Sequence, residues 1–226
     1  MKQIFFITGT DTGVGKTVLT TLLTRFLRER GANVAALKPV CSGDRGDTRA
    51  FQSAMNGGLA LGEINPWHFR AAVAPVLAAR RERKRVLLAD VVAHVRKTQK
   101  RCEVVLIEGA GGLLSPLGEN FDSRDVLVAL RATPIIVCPN RLGAVNQVLL
   151  TLEALPPSLR ASACAVLMSP PRPDAATVSN VKLLADLFDA KRIFSLPWFG
   201  KKFSSAEALK NPPVRRILGA LVRFEH

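Results

Sequence analysis

The sequence predicts a three-layer α/β/α fold in which helices cover both faces of a mainly parallel sheet. Short apolar segments at 4–7, 34–37 and 104–107 are typical of parallel strands, because such strands are buried on both faces. Longer segments between them, such as residues 16–30, carry apolar residues at helical spacing. This alternation of strands and helices continues along the chain and favours an α/β class.

The predicted elements follow one another with short connections. In order, they are a strand at 4–7, a Gly-rich turn at 9–15, a helix at 16–30, a strand at 34–37, a polar turn at 40–48, a helix at 48–55, an irregular stretch at 56–75, a helix at 86–100, a strand at 104–107, a helix at 122–130, a strand at 134–137, a helix at 144–155, a strand at 163–167, a helix at 175–188, a strand at 192–196 and a helical tail after 213. Gly31 is expected to end the first helix as a C-cap, and Asp47 is a candidate N-cap for the second.

The composition of the 226-residue chain is that of a globular protein, and we assign residues 1–226 to one domain. The hydrophobic fraction of 48% excludes a disordered chain. The chain has no run of eighteen apolar residues, and residues 1–4 lead into an apolar run without a signal-peptide cleavage pattern. We therefore expect neither a membrane span nor a secretory signal.

The chain is strongly basic, with 32 Lys and Arg against 18 Asp and Glu and a formal net charge of +14. Such an excess occurs in proteins that bind nucleic acids or small anions, and also on plain basic surfaces. The basic runs at 80–85 and 96–101 contain no interleaved aromatic residues that could stack on bases. We therefore expect a solvated basic surface, and nucleic acid is not an expected partner.

Cysteine and histidine usage narrows the chemistry. The cysteines are Cys41, Cys102, Cys138 and Cys164, and they form no C-x-x-C pair, so neither a zinc site nor a disulfide framework is predicted. Cys138 and Cys164 lie in apolar runs and are expected to be buried, reduced thiols, which indicates a cytoplasmic compartment. The histidines, His68, His94 and His226, suggest no catalytic triad. We expect the chemistry to depend on lysines, carboxylates and backbone amides.

The segment at 9–17, GTDTGVGKT, lies between a predicted strand and a predicted helix, which is the setting of a phosphate-binding P-loop. Small residues let backbone N–H groups turn toward an anion, and the helix N-terminus adds positive potential. Lys16 is expected to reach the β- and γ-phosphates, and the Thr17 hydroxyl to ligate Mg²⁺. The first glycine is displaced by one position, with Thr10 in its usual slot. The sequence thus predicts a P-loop NTPase-like fold that binds a nucleoside triphosphate.

Three charged residues follow predicted strands, at the edge where open α/β sheets bind ligands. Glu108 is either paired with a cation or solvated in a loop. Asp47 is either a second carboxylate for Mg²⁺ or only the helix cap. Lys38, which the following proline holds in extended backbone, either stabilises charge on a reacting group or extends into solvent.

Residues 9–17, with their displaced glycine, resemble the signature of the dethiobiotin synthetases, the ATP-dependent family of biotin biosynthesis. Other segments resemble the further motifs of this family in the same order, so that the resemblance covers about residues 3 to 200. They are KPVxSG at 38–43 with Asp47, NPWxF at 65–69 with Pro75, EGAGG at 108–112 with Pro116 and Leu117, LGxxN at 142–146 with 149–151, and Pro197-Trp198.

The resemblance implies a single α/β domain that forms a homodimer, with the active site at the subunit interface. It implies an ATP-dependent cyclo-ligase that closes the ureido ring of 7,8-diaminononanoate with CO₂ and ATP. One amine takes up CO₂ to form a carbamate, whose oxygen attacks the γ-phosphate. The second amine then closes the ring, which gives dethiobiotin, ADP and phosphate. Such chemistry depends on positioning and charge stabilisation and needs no histidine base.

The resemblance also implies roles for individual residues. Catalytic roles fall to Lys38, Lys16 and Thr12, and Mg²⁺ ligation to Thr17, Asp47 and Glu108. Nucleotide binding falls to Gly13, Val14, Gly15, Lys16, Thr17, Val18, Asp47, Glu108, Gly109, Ala110, Gly111, Met168, Ser169, Pro197, Trp198 and Phe199. Substrate binding falls to Lys38, Ser42, Gly112, Gly143, Ala144, Val145 and Asn146, of which the last four would reach the site from the second subunit.

The sequence departs from the family pattern at three positions. Gly13 stands where some members have Glu, and Val76 stands where a His is common. Met168 and Ser169 stand where the family often has Asn-Asp, with the Asn reading the adenine. Because Met lacks the donor and acceptor pair that reads a base edge, we expect weak discrimination between ATP and other nucleoside triphosphates.

Two other classes of protein are alternatives to a dethiobiotin synthetase. A partitioning-type P-loop ATPase with a basic DNA-binding surface would carry a second lysine near the start of the loop, where this chain has Asp11. An ATP-dependent amide-forming enzyme acting on a corrinoid would carry an additional glutamine-hydrolysing domain, for which 226 residues are too few.

Overall fold

The computed structural model describes residues 2–222, so that residue 1 and residues 223–226, including His226, lie outside the described residues. The strands are β1 Gln3–Gly9, β2 Val34–Leu37, β3 Val40–Ser42, β4 Trp67–Phe69, β5 Val104–Gly112, β6 Pro116–Gly118, β7 Phe121–Asp122, β8 Thr133–Pro139, β9 Cys164–Met168 and β10 Ile193–Leu196. The helices are α1 Lys16–Glu29, α2 Gly46–Ala54, α3 Leu61–Ile64, α4 Pro75–Arg81, α5 Leu88–Gln99, α6 Ser123–Leu130, α7 Ala144–Glu153, α8 Pro157–Arg160, α9 Ala175–Leu187, α10 Ser205–Ala208 and α11 Pro212–Leu221.

The central sheet has six strands in the order β10-β9-β8-β1-β5-β2, and every neighbouring pair is parallel. β1 lies in the interior of this sheet, where Phe5 is opposite Leu106 of β5 and Thr133 of β8. Because all six strands run in one direction, their carboxyl ends share one edge. The loops that follow β1, β2 and β5 therefore meet there.

Both faces of the sheet are covered, as expected for buried parallel strands. Successive side chains of β1 point to opposite faces. Ile4 and Phe6 belong to the apolar core on one face, and Phe5 and Ile7 belong to the core on the other. The prediction of a three-layer α/β/α fold with a mainly parallel sheet is confirmed.

The helix ends show where local sequence decides the structure. Gly31 follows α1 with a φ of +84°, a left-handed conformation that favours glycine, so its predicted role at the C-terminal end of this helix is confirmed. Asp47 is not the N-cap that was predicted for the next helix. That helix begins at Gly46, with Arg45 at the N-cap, and the Asp47 side chain instead accepts hydrogen bonds from Thr17 and Lys38.

The predictions of a polar turn at 40–48 and an irregular stretch at 56–75 were wrong in part. These segments contain β3 and β4, which form a separate parallel pair with Val40 opposite Trp67 and Ser42 opposite Phe69. Each strand has three residues, which is too short to show an alternating pattern. The pair brings the segment around Ala72–Pro75 to the edge of the sheet that carries the candidate site, since Ser42 Oγ donates to the Val73 carbonyl at 2.5 Å.

Candidate active site

The loop between β1 and α1 is wound as a phosphate loop. Gly13 and Gly15 have φ values of +73° and +103°, which a residue with a side chain rarely adopts. Lys16 is the first residue of α1 and is 6% exposed. Its ammonium group donates to the carbonyl of Asp11 at 2.7 Å and so closes the loop. The predicted strand–loop–helix setting of the P-loop is therefore present.

Beside this loop, Lys38 lies between two carboxylates. Its Nζ is 2.7 Å from Oε1 of Glu108 and also forms an ion pair with Oδ2 of Asp47. Lys38 follows β2 and Glu108 lies in the neighbouring β5, so adjacent strands bring the two together. The alternative of a lysine extended into solvent is excluded, since Lys38 is 7% exposed. The alternative of a solvated Glu108 is excluded as well, since that residue is 1% exposed.

The hydroxyl group of Thr17 joins the same cluster. Its Oγ1 lies 2.8 Å from Oδ1 of Asp47 and 3.1 Å from Oε1 of Glu108. The three residues predicted as Mg²⁺ ligands, on α1, α2 and β5, therefore form one cluster in which Thr17 contacts both carboxylates.

These groups account for all the buried charges among residues 2–222. Within that part of the chain, the charged residues classed as buried are Lys16, Lys38 and Glu108. Buried charges are costly unless they are paired, and proteins concentrate them where function requires them. The basic runs noted in the sequence differ, because their members are largely solvated: Arg80 is paired with Glu119 while 58% of its side chain is exposed.

The two lysines have opposite pKa shifts. Burial lowers the pKa of Lys16 to about 8, although Glu108 acts in the other direction. Burial also acts to lower the pKa of Lys38, but the charges of Glu108 and Asp47 outweigh it and raise the pKa above its ordinary value. Burial raises the pKa of Glu108, and the Lys38 ammonium group opposes this effect. Lys38 is thus held as a cation.

The oxygen groups in this cluster fit a magnesium ion. Among the residues that the structure describes, no group of three or more His, Cys, Asp and Glu side chains could hold a metal. A nucleotide-bound Mg²⁺ needs fewer protein ligands, since one or two carboxylates suffice and phosphates and water supply the rest. Thr17, Asp47 and Glu108 provide two carboxylates and a hydroxyl, all hard oxygen ligands. The Lys38 ammonium group between the carboxylates indicates a position that favours positive charge.

A cleft of about 750 Å³ opens over the cluster. The predicted site residues that line it are Thr12, Gly13, Gly15, Lys16, Thr17, Val18, Lys38, Ser42, Asp47, Glu108, Ala110 and Gly111. Three further residues of these motifs do not line the cleft. Val14 is buried, and Gly109 lies against Phe6 and Ser123. The backbone N–H of Gly112 donates to Ser115 Oγ. The cleft can hold a phosphate chain together with a second, smaller ligand.

The cleft also contains residues that the sequence interpretation missed. Cys41, Asp44 and Ser115 line it, and the segment 72–75 forms a wall. The buried Thr20 lies behind the carboxylates, with Oγ1 3.1 Å from Oε2 of Glu108. Helical spacing was the available signal for Thr20, because it lies three residues after Thr17 and four after Lys16, on the same face of α1.

The residues predicted to hold the base lie at the ends of β9 and β10. Met168 packs on the phosphate loop, where a β-carbon added at Gly15 would lie 3.0 Å from Met168 Cγ. The hydroxyl groups of Ser169 and Ser195 lie 3.2 Å apart. Pro197, Trp198 and Phe199 follow β10, and Trp198 is half exposed.

The segment Gly143, Ala144, Val145 and Asn146 does not line this cleft. It begins α7, where Ala144 is buried, and Gly143, Val145 and Asn146 border a separate, open depression between α7 and α9. Apolar side chains are exposed around it, including Leu142 at 81% and Val178 at 76%. Within one chain, the residues predicted to bind the substrate carboxylate are thus separate from the phosphate loop.

The cysteines, the helices and the histidines were also considered in the sequence, and the structure places them as follows. Cys41, Cys138 and Cys164 are buried, Cys102 is partly buried, and none of the four is in a disulfide. Among residues 2–222, no helix is long and apolar enough to cross a lipid bilayer. His68 Nε2 donates to the Gly43 carbonyl at 2.7 Å, and His94 packs edge-on against Trp67. Neither histidine lines the cleft.

Solved structures with a similar fold are P-loop ATPases. The structure of pNOB8 ParA bound to nonspecific DNA superposes with a TM-score of 0.59 at 14% identity and covers 99% of this chain and 98% of that one. A ParA family ATPase from Chlorobium tepidum gives a TM-score of 0.55 at 13% identity, over 96% and 93% of the two chains. At such low identity the likeness shows the fold alone, and it confirms the predicted P-loop NTPase-like fold.

Sequence relatives are more specific. The AAA domain family matches residues 3–201. The ATP-dependent dethiobiotin synthetase BioD of Anaeromyxobacter dehalogenans is 35% identical over 97% of this chain and 98% of its own length. The enzyme of the same name from Bacillus velezensis is 39% identical over 66% of each chain, so that the match spans about two thirds of that relative. With residues of the segments 12–18, 38–47 and 108–111 lining one cleft and a relative matched over 97% of this chain, the chain belongs to the ATP-dependent dethiobiotin synthetase family.

Proposed function

We propose that this protein is an ATP-dependent cyclo-ligase that closes the ureido ring of 7,8-diaminononanoate with CO₂ and yields dethiobiotin, ADP and phosphate. The observation that carries the proposal is the position of Lys38. It is a buried cation beside the phosphate loop and in the same cleft, with Glu108 and Asp47 as partners. A reaction that joins a carbamate to a phosphoryl group brings two anionic groups together, and a fixed cation beside them stabilises that arrangement.

In this proposal the phosphate loop binds the triphosphate of ATP. Backbone N–H groups at the start of α1 face the phosphates, and Lys16 exchanges the Asp11 carbonyl for phosphate oxygens. The pKa of Lys16 is about 8, so the lysine carries its charge in most molecules at neutral pH. Phosphate oxygens would stabilise that charge further.

Lys38 and Lys16 stabilise the carbamate and the phosphoryl group that it attacks. Both ammonium groups line the cleft, so the two anionic reactants are held together between them. Thr12 lines the mouth of the same cleft and is suited to hydrogen-bond the carbamate. Ser42 donates to the Val73 carbonyl, so in this proposal it turns toward the substrate amine when the substrate binds.

Thr17, Asp47 and Glu108 hold the Mg²⁺ of the nucleotide. When bound, this ion neutralises charge on the β- and γ-phosphates. The contribution of the chain is the arrangement of the three oxygen ligands, in which the Thr17 hydroxyl contacts both carboxylates. Glu108 is the least mobile of them, because its side chain is fully buried.

The same proposal makes the enzyme a homodimer. The exposed apolar side chains around α7 and α9 form a surface that a second copy would cover. The N-terminus of α7, at Gly143–Asn146, would then supply backbone N–H groups to the substrate carboxylate in the neighbouring cleft. This arrangement explains why the segment lies apart from the phosphate loop within one chain.

The test is a coupled assay for ADP release with diaminononanoate, bicarbonate and Mg²⁺. We expect ADP release that depends on the diamine, and Lys38→Ala should abolish it while much of the nucleotide binding remains. Lys210→Ala is the matched control, because Lys210 is an exposed lysine in a surface ion pair with Glu207. ADP release that is independent of the diamine would refute the proposed function.

A further inference from the structure

Thr20 differs from Thr21 and Thr24, the two threonines that follow it on α1. Thr20, Thr21 and Thr24 each have a hydroxyl group within hydrogen-bonding distance of the carbonyl four residues earlier, at 2.9, 2.7 and 2.7 Å. Thr20 alone among these three also reaches a carboxylate, with Oγ1 3.1 Å from Oε2 of Glu108. Thr20 is completely buried, so solvent does not compete for this contact.

We propose that Thr20 is a positioning residue that fixes the orientation of the Glu108 carboxylate toward the nucleotide-bound metal. The proposal rests on the proposed function, because it assumes the Mg²⁺ position at Thr17, Asp47 and Glu108. It adds a residue that belongs to none of the motifs through which the family resemblance was drawn.

The two carboxylate oxygens of Glu108 have different partners. Oε1 faces Lys38 at 2.7 Å and Thr17 at 3.1 Å, and is therefore the oxygen directed at the cation position. Oε2 points the other way and meets the Thr20 hydroxyl. The terminal torsion of a glutamate is soft, so a bare carboxylate rotates readily. A donor on Oε2 removes this freedom and leaves Oε1 in place.

A hydroxyl group carries one hydrogen, so Thr20 donates fully to only one acceptor at a time. Its two candidates are the Lys16 carbonyl and the Glu108 carboxylate. A charged acceptor makes the stronger hydrogen bond. Since Lys16 lies in α1, its carbonyl also faces the backbone N–H four residues later in the helix and does not depend on the hydroxyl.

Thr20 acts through Glu108 and not on a ligand directly. The cleft is lined by the neighbouring Lys16, Thr17 and Val18, whereas Thr20 lies behind Glu108 and has no exposed surface. Groups that orient a metal ligand typically affect metal affinity by a factor of about 10 to 100. We expect an effect of that size at Thr20.

The experiment measures Mn²⁺ binding by electron paramagnetic resonance, with the full chain and a saturating non-hydrolysable ATP analogue. Thr20→Val keeps the shape and removes the hydroxyl, and Thr20→Ser restores a hydroxyl. Thr24→Val is the matched control, because Thr24 is equally buried on the same helix and donates only to the Thr20 carbonyl among the contacts of residues 2–222. In parallel, two quantities are measured for each protein: the Mg²⁺ concentration that gives half-maximal ADP release, and kcat at saturating Mg²⁺.

We expect Thr20→Val to weaken Mn²⁺ binding about tenfold or more, with Thr20→Ser and Thr24→Val within about threefold of wild type. The Mg²⁺ requirement of Thr20→Val should rise by the same factor, with a smaller change in kcat at saturating Mg²⁺. If Thr20→Val does not fold, Thr20→Ala takes its place in the comparison.

Two results would overturn the proposal while leaving the proposed function intact. One is that the wild-type protein binds Mn²⁺ and that Thr20→Val binds it with equal affinity. The other is an equal loss in Thr20→Val and Thr24→Val, which would indicate a general effect on the helix. A wild-type protein that binds no Mn²⁺ with the nucleotide analogue would instead refute the proposed metal site, and this proposal with it.

Discussion

Nζ of Lys38 lies 2.7 Å from Oε1 of Glu108, and the two side chains are 9% and 0% exposed. A buried pair of this kind stabilises the fold only while both partners are present, because either charge alone would be left in an apolar environment. The pair therefore links the stability of the protein to the group that the proposed reaction needs.

The first prediction concerns this link. Lys38→Ala should lower the free energy of unfolding by about 3–5 kcal/mol, since it leaves Glu108 buried without its cation. Urea denaturation followed by circular dichroism measures the change. Lys210→Ala, which breaks an exposed pair, should cost less than about 1 kcal/mol. Equal losses of unfolding free energy in the two variants would show that the buried pair contributes no more to stability than the exposed pair.

The second prediction concerns added metal. In wild type, the positive charge of Lys38 already offsets part of the negative charge of Asp47 and Glu108, whereas in Lys38→Ala the carboxylates have lost this partner. Millimolar Mg²⁺ without nucleotide should therefore raise the Tm of Lys38→Ala more than that of wild type, by linkage of binding to folding. Differential scanning fluorimetry with and without EDTA tests this, with K⁺ at equal ionic strength as the control. A Tm shift of the same size in both proteins would contradict the idea that metal and lysine serve the same carboxylates.

The third prediction concerns the choice of nucleotide. Met168 offers no hydrogen-bonding groups, and the nearby hydroxyls of Ser169 and Ser195 can each donate or accept. The kcat/KM values for ATP, CTP and GTP should therefore lie within about tenfold of one another, since only a specific polar contact yields a larger preference. Met168→Asn should raise the preference for ATP. A wild-type enzyme with a strong preference for ATP over CTP and GTP would refute this expectation.

The fourth prediction concerns the thiols. Burial raises the pKa of Cys164 to about 12 and also raises the pKa values of the Cys41, Cys102 and Cys138 thiols. Below a raised pKa a thiol stays neutral and reacts slowly, so labelling at pH 8 should be slow and should speed up as pH rises. Cys102 is the least buried of the four and should react first with iodoacetamide in the native protein. Mass spectrometry of the labelled protein identifies the site, and fast labelling of Cys164 before unfolding would contradict the burial described above.

The sequence was most informative where one local pattern decides the structure. The strand at 34–37 has the predicted bounds, because an apolar run is followed at once by Lys38 and a proline. The phosphate loop was equally clear, since its glycines occupy positive φ values that few other residues adopt. The meeting of Lys38 with Glu108 could be expected from two parallel strands that end at one edge.

The parts that could not be predicted depend on contacts between distant segments. The strands β3 and β4 have three residues each and exist only because they pair with one another. For Asp47 the local sequence left open a helix cap or a place among the carboxylates of the site, and its ion pair with Lys38 decides for the second. The contact between Thr20 and Glu108 joins residues 88 positions apart. Helical spacing places Thr20 on the same face of α1 as Lys16 and Thr17, but it does not identify Glu108 as the partner.

The hydrogen bond from Lys16 to the Asp11 carbonyl has a kinetic consequence. Because this hydrogen bond lies within the loop, it stabilises the wound shape without the help of a bound anion. An arriving triphosphate needs only to exchange one hydrogen-bond acceptor for another, and it orders little additional chain. Capture of the nucleotide should then proceed at the pace of a preorganised site, without a slow refolding step that would delay each turnover.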